Sequence, residues 1–251
     1  MKIRLEVCAN SVQSAIAAQK GGASRIELCD NLPEGGTTPS YGMIKVARRE
    51  LNIPIHVLLR PRAGDFLYTE HEFDTMKADI EVCSLLKCDA VVIGILNADG
   101  TVDKPRCTEL VTLAKKAGLK TTFHRAFDMC SNLFQALEDV IEMGFDCILT
   151  SGGKTTVMEG ASKIAQLIQQ AAGRIEIMPG SGLNENNVGD LVHFTGATIV
   201  HSSARLRKPS AMQYINTAIM LNAQSPEDSI DETDEGRVKS IIAKANEPYY
   251  A

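Results

Sequence analysis

The chain has 251 residues, 44 % of them hydrophobic and 23 % charged, with a formal net charge of −5. That length is generous for one ordinary domain and about right for a single α/β barrel, and the composition is that of a globular chain. The acidic balance, with no Lys/Arg run interleaved with aromatics, argues against nucleic acid or an anionic membrane as partner. The longest nearly apolar run, Ala90–Leu96, falls far short of the roughly 20 residues of a membrane span. Met1-Lys2-Ile3-Arg4-Leu5-Glu6 has no apolar segment, so no secretory signal is expected. Seven cysteines, an odd number, then read as reduced cytosolic thiols, and none stands at zinc-site spacing.

Short β-branched runs alternate with amphipathic stretches throughout. Strands are predicted at Ile3–Cys8, Arg25–Cys29, Ile55–Arg60, Ala90–Ile95, Thr121–Arg125, Cys147–Thr150, Ile175–Met178 and Ala197–His201. Helices are predicted between them at Val12–Lys20, Tyr41–Glu50, Glu72–Lys87, Lys104–Ala117, Asn132–Met143, Val157–Ala172 and Glu185–His193, with Ser131 as an N-cap. Eight strands alternating with helices in a chain of this size predict one (β/α)₈ TIM barrel. An open doubly wound sheet would show Gly-x-Gly-x-x-Gly after the first strand. Cys8-Ala9-Asn10-Ser11 stands there instead, so no nucleotide cofactor is indicated. The barrel is expected over residues 1–221. Residues 222–251 read as a polar, acidic linker and a C-terminal helix whose Val238, Ile241, Ile242 and Ala245 pack on it.

Working residues of such a barrel sit at the C-terminal ends of the strands. The first two strands end alike, in Glu6-Val7-Cys8 and Glu27-Leu28-Cys29. Alternation puts Glu6 with Cys8, and Glu27 with Cys29, on one face. If that face points inward, two thiols meet at the top with two carboxylates one layer below, a pair suited to a soft ion such as Cu(I). Small buried hydrophobes at both positions are the alternative. The other five cysteines fit packing positions, and the nine methionines form no cluster.

The remaining strand ends are also polar. Arg60-Pro61-Arg62 is a cationic hook for carboxylate or phosphate, or else a source of ion pairs to Glu6 and Glu27. His124, with Asp128 nearby, is a general acid/base candidate. Thr150-Ser151-Gly152-Gly153, Pro179-Gly180-Ser181-Gly182 and His201-Ser202-Ser203 supply loops of the kind that hold phosphate. These residues support a second reading, a TIM-barrel enzyme of the isomerase, lyase or aldolase kind acting on a small phosphate- or carboxylate-bearing metabolite. Glu6, Glu27, His124 and Asp128 would move protons, and Arg60, Arg62, Ser151, Gly180, Gly182 and Ser203 would hold the anion. A third reading, a purely structural chain, predicts no cavity at the barrel mouth.

Several segments taken together closely resemble the CutC copper-homeostasis family. They are Glu6-Val7-Cys8, Gly22-Ala23-Ser24-Arg25-Ile26-Glu27-Leu28-Cys29, Gly35-Gly36-Thr37-Thr38-Pro39-Ser40, Arg60-Pro61-Arg62-Ala63-Gly64-Asp65-Phe66, Phe123-His124-Arg125-Ala126-Phe127-Asp128 and Leu149-Thr150-Ser151-Gly152. Each is weak alone, and all of them in order are very specific. The resemblance runs from Met1 to about Arg205 and implies a (β/α)₈ barrel, a cytoplasmic location and a homo-oligomer. It also implies a role in copper homeostasis, with Cu(I) bound through cysteines that match Cys8 and Cys29.

Overall fold

The computed structural model describes residues 2–216, 218–219 and 226–248. Eight strands form one parallel sheet: β1 (Arg4–Ala9), β2 (Arg25–Leu28), β3 (Ile55–Leu58), β4 (Ala90–Ile93), β5 (Lys120–Phe123), β6 (Cys147–Thr150), β7 (Glu176–Pro179) and β8 (Ile199–Ser202). Their order is β7-β6-β5-β4-β3-β2-β1-β8, and a parallel bridge between Gly180 and His201 closes the ring into the expected barrel. Helices α1 (Val12–Gly21), α2 (Tyr41–Glu50), α3 (Glu70–Leu85), α4 (Lys104–Lys116), α5 (Leu133–Glu142), α6 (Val157–Ala171) and α7 (Val188–Thr195) follow the first seven strands in turn. None of these helices is long and apolar enough to cross a membrane, nor is any other among the described residues.

Side-chain alternation divides the core in two. Outward residues such as Val7, Ile26, Val57, Val91, Ile148 and Val200 join helix residues in one large apolar shell. Inside the barrel two small apolar clusters form, Cys8 with Cys29, Leu58 and Val92, and Cys147 with Leu149, Met178 and Ile199. Several helices start on side-chain caps, each worth about 1 kcal/mol. Thr69 and Thr156 make capping boxes with Glu72 and Glu159. Asn132, one residue past the Ser131 expected from the sequence, caps α5 because its side-chain oxygen accepts from the amides of Phe134 and Gln135.

The stretch expected as a polar linker from residue 222 carries a strand among its described residues. Strand β9 (Arg205–Pro209) pairs antiparallel with β10 (Ser229–Thr233), so the acidic residues Asp231 and Glu232 face basic partners: Arg207 and Lys208. The expected boundary at 221/222 lies outside the described residues. Helix α8 (Glu235–Ala245) follows and buries Val238, Ile241 and Ala245 in the outer shell, with Ile242 packed at its edge.

Candidate functional site at the barrel mouth

Strand register decides which side chains meet. Cys8 lies beside Glu27, and Glu6 is flanked by Arg25 on β2 and His201 on β8. Alternation within each strand alone sets Cys8 level with Cys29 and Glu6 level with Glu27. The observed register moves β2 by two residues, the kind of stagger that a closed barrel requires. Glu27 therefore rises to the level of Cys8, and Cys29 stands one step higher. The two sulfurs still meet, 3.4 Å apart and both buried. A disulfide would need about 2.05 Å, so this is a dithiol.

Beneath the sulfurs runs a buried network of charges. Arg25 Nε donates to Glu6 Oε2 at 2.5 Å, and its Nη2 reaches Met178 Sδ at 3.4 Å. His201 Nδ1 lies 2.9 Å from Glu6 Oε1, and its Nε2 lies 3.8 Å from Glu27 Oε2. Burial pushes the Glu6 carboxyl up, but the Arg25 guanidinium and the His201 hydrogen bond outweigh it and hold that carboxyl well below the usual range. Burial pulls the His201 imidazole down, yet its contacts with Cys8, Glu27 and Glu6 outweigh that and raise it well above its ordinary value. Burial raises Glu27 despite His201, and the Cys29 contact together with burial raises Cys8. Cys8 Sγ, a Glu27 oxygen and a His201 nitrogen all lie within 4.8 Å of one another. With Cys29 alongside, the donors are two thiols, an imidazole and a carboxylate. Two sulfurs in contact favour a soft cation over a hard one, and binding must displace the thiol protons.

Above this network opens a cavity of about 470 Å³, contrary to a purely structural chain. Cys8, Glu27, Arg60, His124, Gly180, Gly182 and Ser203 all line it. Gly180 lies in its lining, and Gly94 leaves space for the His124 ring behind it. A Cβ on Gly94 would sit 2.8 Å from the His124 ring, and one on Gly180 would sit 3.1 Å from His201 Cβ. Glu6 and Cys29 stand outside the cavity lining, in the network below and beside Cys8. Arg62 is held away from it by Glu72 and Asp65 as a clamp on its own loop. Asp128 is likewise outside: its carboxylate accepts from Arg125, from Thr150 Oγ1 and from the amides of Ser151 and Gly153. Ser151 serves the same loop, accepting from Arg125 Nη2 at 2.9 Å. The ion pairs considered between the arginine hook and Glu6 or Glu27 do not form. Arg25 takes Glu6, and Arg60 binds the carbonyls of Glu34, Gly36 and Gly64.

Sequence reasoning missed Arg25, His201 and Arg237. The first two were accessible, because two-residue alternation from Glu27 and from Ser203 turns both of them inward. Arg237 has no such signal. It arrives from α8, where Glu185 and the carbonyl of Arg205 fix it at the cavity wall.

Comparison with known proteins agrees with the barrel fold. The CutC family profile matches residues 3–206, which contain every strand of the barrel. A family protein CutC of Chromobacterium violaceum is 47 % identical, covering 94 % of this chain and 96 % of its own. The copper homeostasis protein cutC homolog of Mus musculus is 44 % identical over 97 % of this chain and 89 % of its own. A CutC crystal structure from Streptococcus agalactiae has a TM-score of 0.76 at 36 % identity, covering 80 % of this chain and 98 % of that one. A shared barrel, a family match that spans it and identity near one half place the chain in one lineage: it belongs to the CutC family.

Proposed function

We propose that this chain is a cytosolic copper-homeostasis protein that takes Cu(I) at the top of its barrel. Cys8 and Cys29 are the thiolate ligands, with His201 and Glu27 in reach to complete or release the ion. The observation that carries the reading is the 3.4 Å contact of two buried thiols beside an imidazole and a carboxylate. Thiolates favour soft metals, Cu(I) among them. The Mus musculus relative, named as a copper homeostasis protein, supports the same assignment. Seven free cysteines suit a reducing compartment. The homo-oligomer implied by the family resemblance has its direct test in light scattering of the purified chain.

Competition titration with a Cu(I) chelator, under anaerobic reducing conditions, tests the site. One Cu(I) per chain is expected for the native protein. Cys8→Ala/Cys29→Ala should weaken binding by at least about a hundredfold, more than the loss of an outer-shell partner costs. Equal affinity in the double variant would remove the basis for the assignment.

A further inference from the structure

The mouth cavity is built for more than a metal ion. Four arginines line it, Arg60, Arg125, Arg205 and Arg237, against one carboxylate, Glu27. Arg125 pairs with Asp128 and Arg237 with Glu185, and Arg205 lies 4.0 Å from Asp231. Arg60 differs. It is 5 % exposed, its three hydrogen bonds go to backbone carbonyls, and no carboxylate among the described residues lies within ion-pair distance. A buried cation calls for a counter-charge.

His124 has a complementary lack. It is 3 % exposed, and its Nδ1 accepts from the Ala126 amide at 3.2 Å, which places the proton of the neutral ring on Nε2. That N–H is buried and unpartnered among the described residues, although His124 lines the cavity. Phe66 joins the two groups: its ring centroid lies 5.1 Å from Arg60 Cζ and 5.1 Å from the His124 ring.

We propose that this cavity binds a small organic anion, a carboxylate or a phosphate ester, that brings its charge to Arg60 and an acceptor oxygen to His124 Nε2. Its body packs on Leu32, Leu58, Phe66 and Leu149, which supply the apolar wall. The site borders Cys8 and His201 but does not depend on a metal there. No reaction is part of the proposal.

Calorimetric titration of metal-free, full-length protein with citrate, glycerol 3-phosphate and inorganic phosphate tests it. Saturable binding of citrate or glycerol 3-phosphate is expected, one per chain, and the arm that binds identifies the head group. His124→Asn keeps an oxygen to accept from Ala126 but removes the Nε2–H donor, and should weaken binding about tenfold or more. His124→Gln returns an N–H at similar reach and should stay within about threefold of the native protein. The proposal is overturned if no probe saturates below about 10 mM. Native-like binding by folded His124→Asn, or equal loss in both variants, overturns it as well.

Discussion

His124 and His201 are both buried inside one barrel, yet their surroundings shift them in opposite directions. Burial, followed by the nearby Arg60 charge, drives His124 down to about 3, while at His201 burial is outweighed by contacts with Cys8, Glu27 and Glu6 that raise it well above its ordinary value. The signs of their linkage to folding differ accordingly. The unfolded chain binds a proton at position 124 below its ordinary value near 6.5, and the folded chain does not until about pH 3. The stability at that position is thus whole above pH 6.5 and is lost as pH falls toward 3. His201 works the other way, since its contribution is whole at low pH and fades as pH rises through its elevated value. Urea unfolding at pH 7 and pH 5 reads the first effect. Native protein should lose about 2 kcal/mol more over that interval than His124→Asn, from 1.36 kcal/mol per pH unit. Equal losses would contradict a neutral His124.

Among the elements, the eight strands and seven barrel helices were legible because each carries its own period, two or 3.6 residues. Register was not legible. Glu6-x-Cys8 and Glu27-x-Cys29 look alike within each strand, and only barrel closure decides that Cys8 faces Glu27. The meeting of the two sulfurs was therefore legible, whereas the charges below them were not: Arg25 takes the role considered for Arg60. The hairpin of β9 and β10 escaped for another reason. Its strands are short and polar, and they pair through charges across a long connection, with no apolar face to mark them. Helix α8 was visible from its apolar stripe, but its seat on α1 was not. A Cβ on Gly21 would lie 2.5 Å from Val238 Cβ, so the two helices touch there. Gly21→Ala should cost about 1–2 kcal/mol, overpacking outweighing the gain in helix propensity, and lower Tm by roughly 2–8 °C. Gly42→Ala, on the exposed start of α2 with only Ser40 Oγ nearby at 3.8 Å, should leave Tm unchanged or raise it. A scan in which both variants behave alike would refute the close seat of α8.

At the scale of the whole molecule, the polar stack inside the barrel joins ends that are far apart in sequence. Asn246 accepts from the Ile3 amide at 2.8 Å, locking the end of α8 to the start of β1, and Arg237 enters the cavity wall from the same helix. Glu6, Arg25 and His201 bring β1, β2 and β8 into one network, and the thiols rest on top of it. The His201 imidazole sits against Glu6 and the two thiols touch each other, so a soft cation that takes the thiol protons' place would inherit the same neighbours. X-ray absorption at the copper edge of protein loaded with one Cu(I) per chain tests this most directly. A first shell with two sulfurs, lost in Cys8→Ser/Cys29→Ser, is the predicted result; a shell of nitrogen and oxygen alone, or a sulfur signal unchanged in that variant, would contradict it.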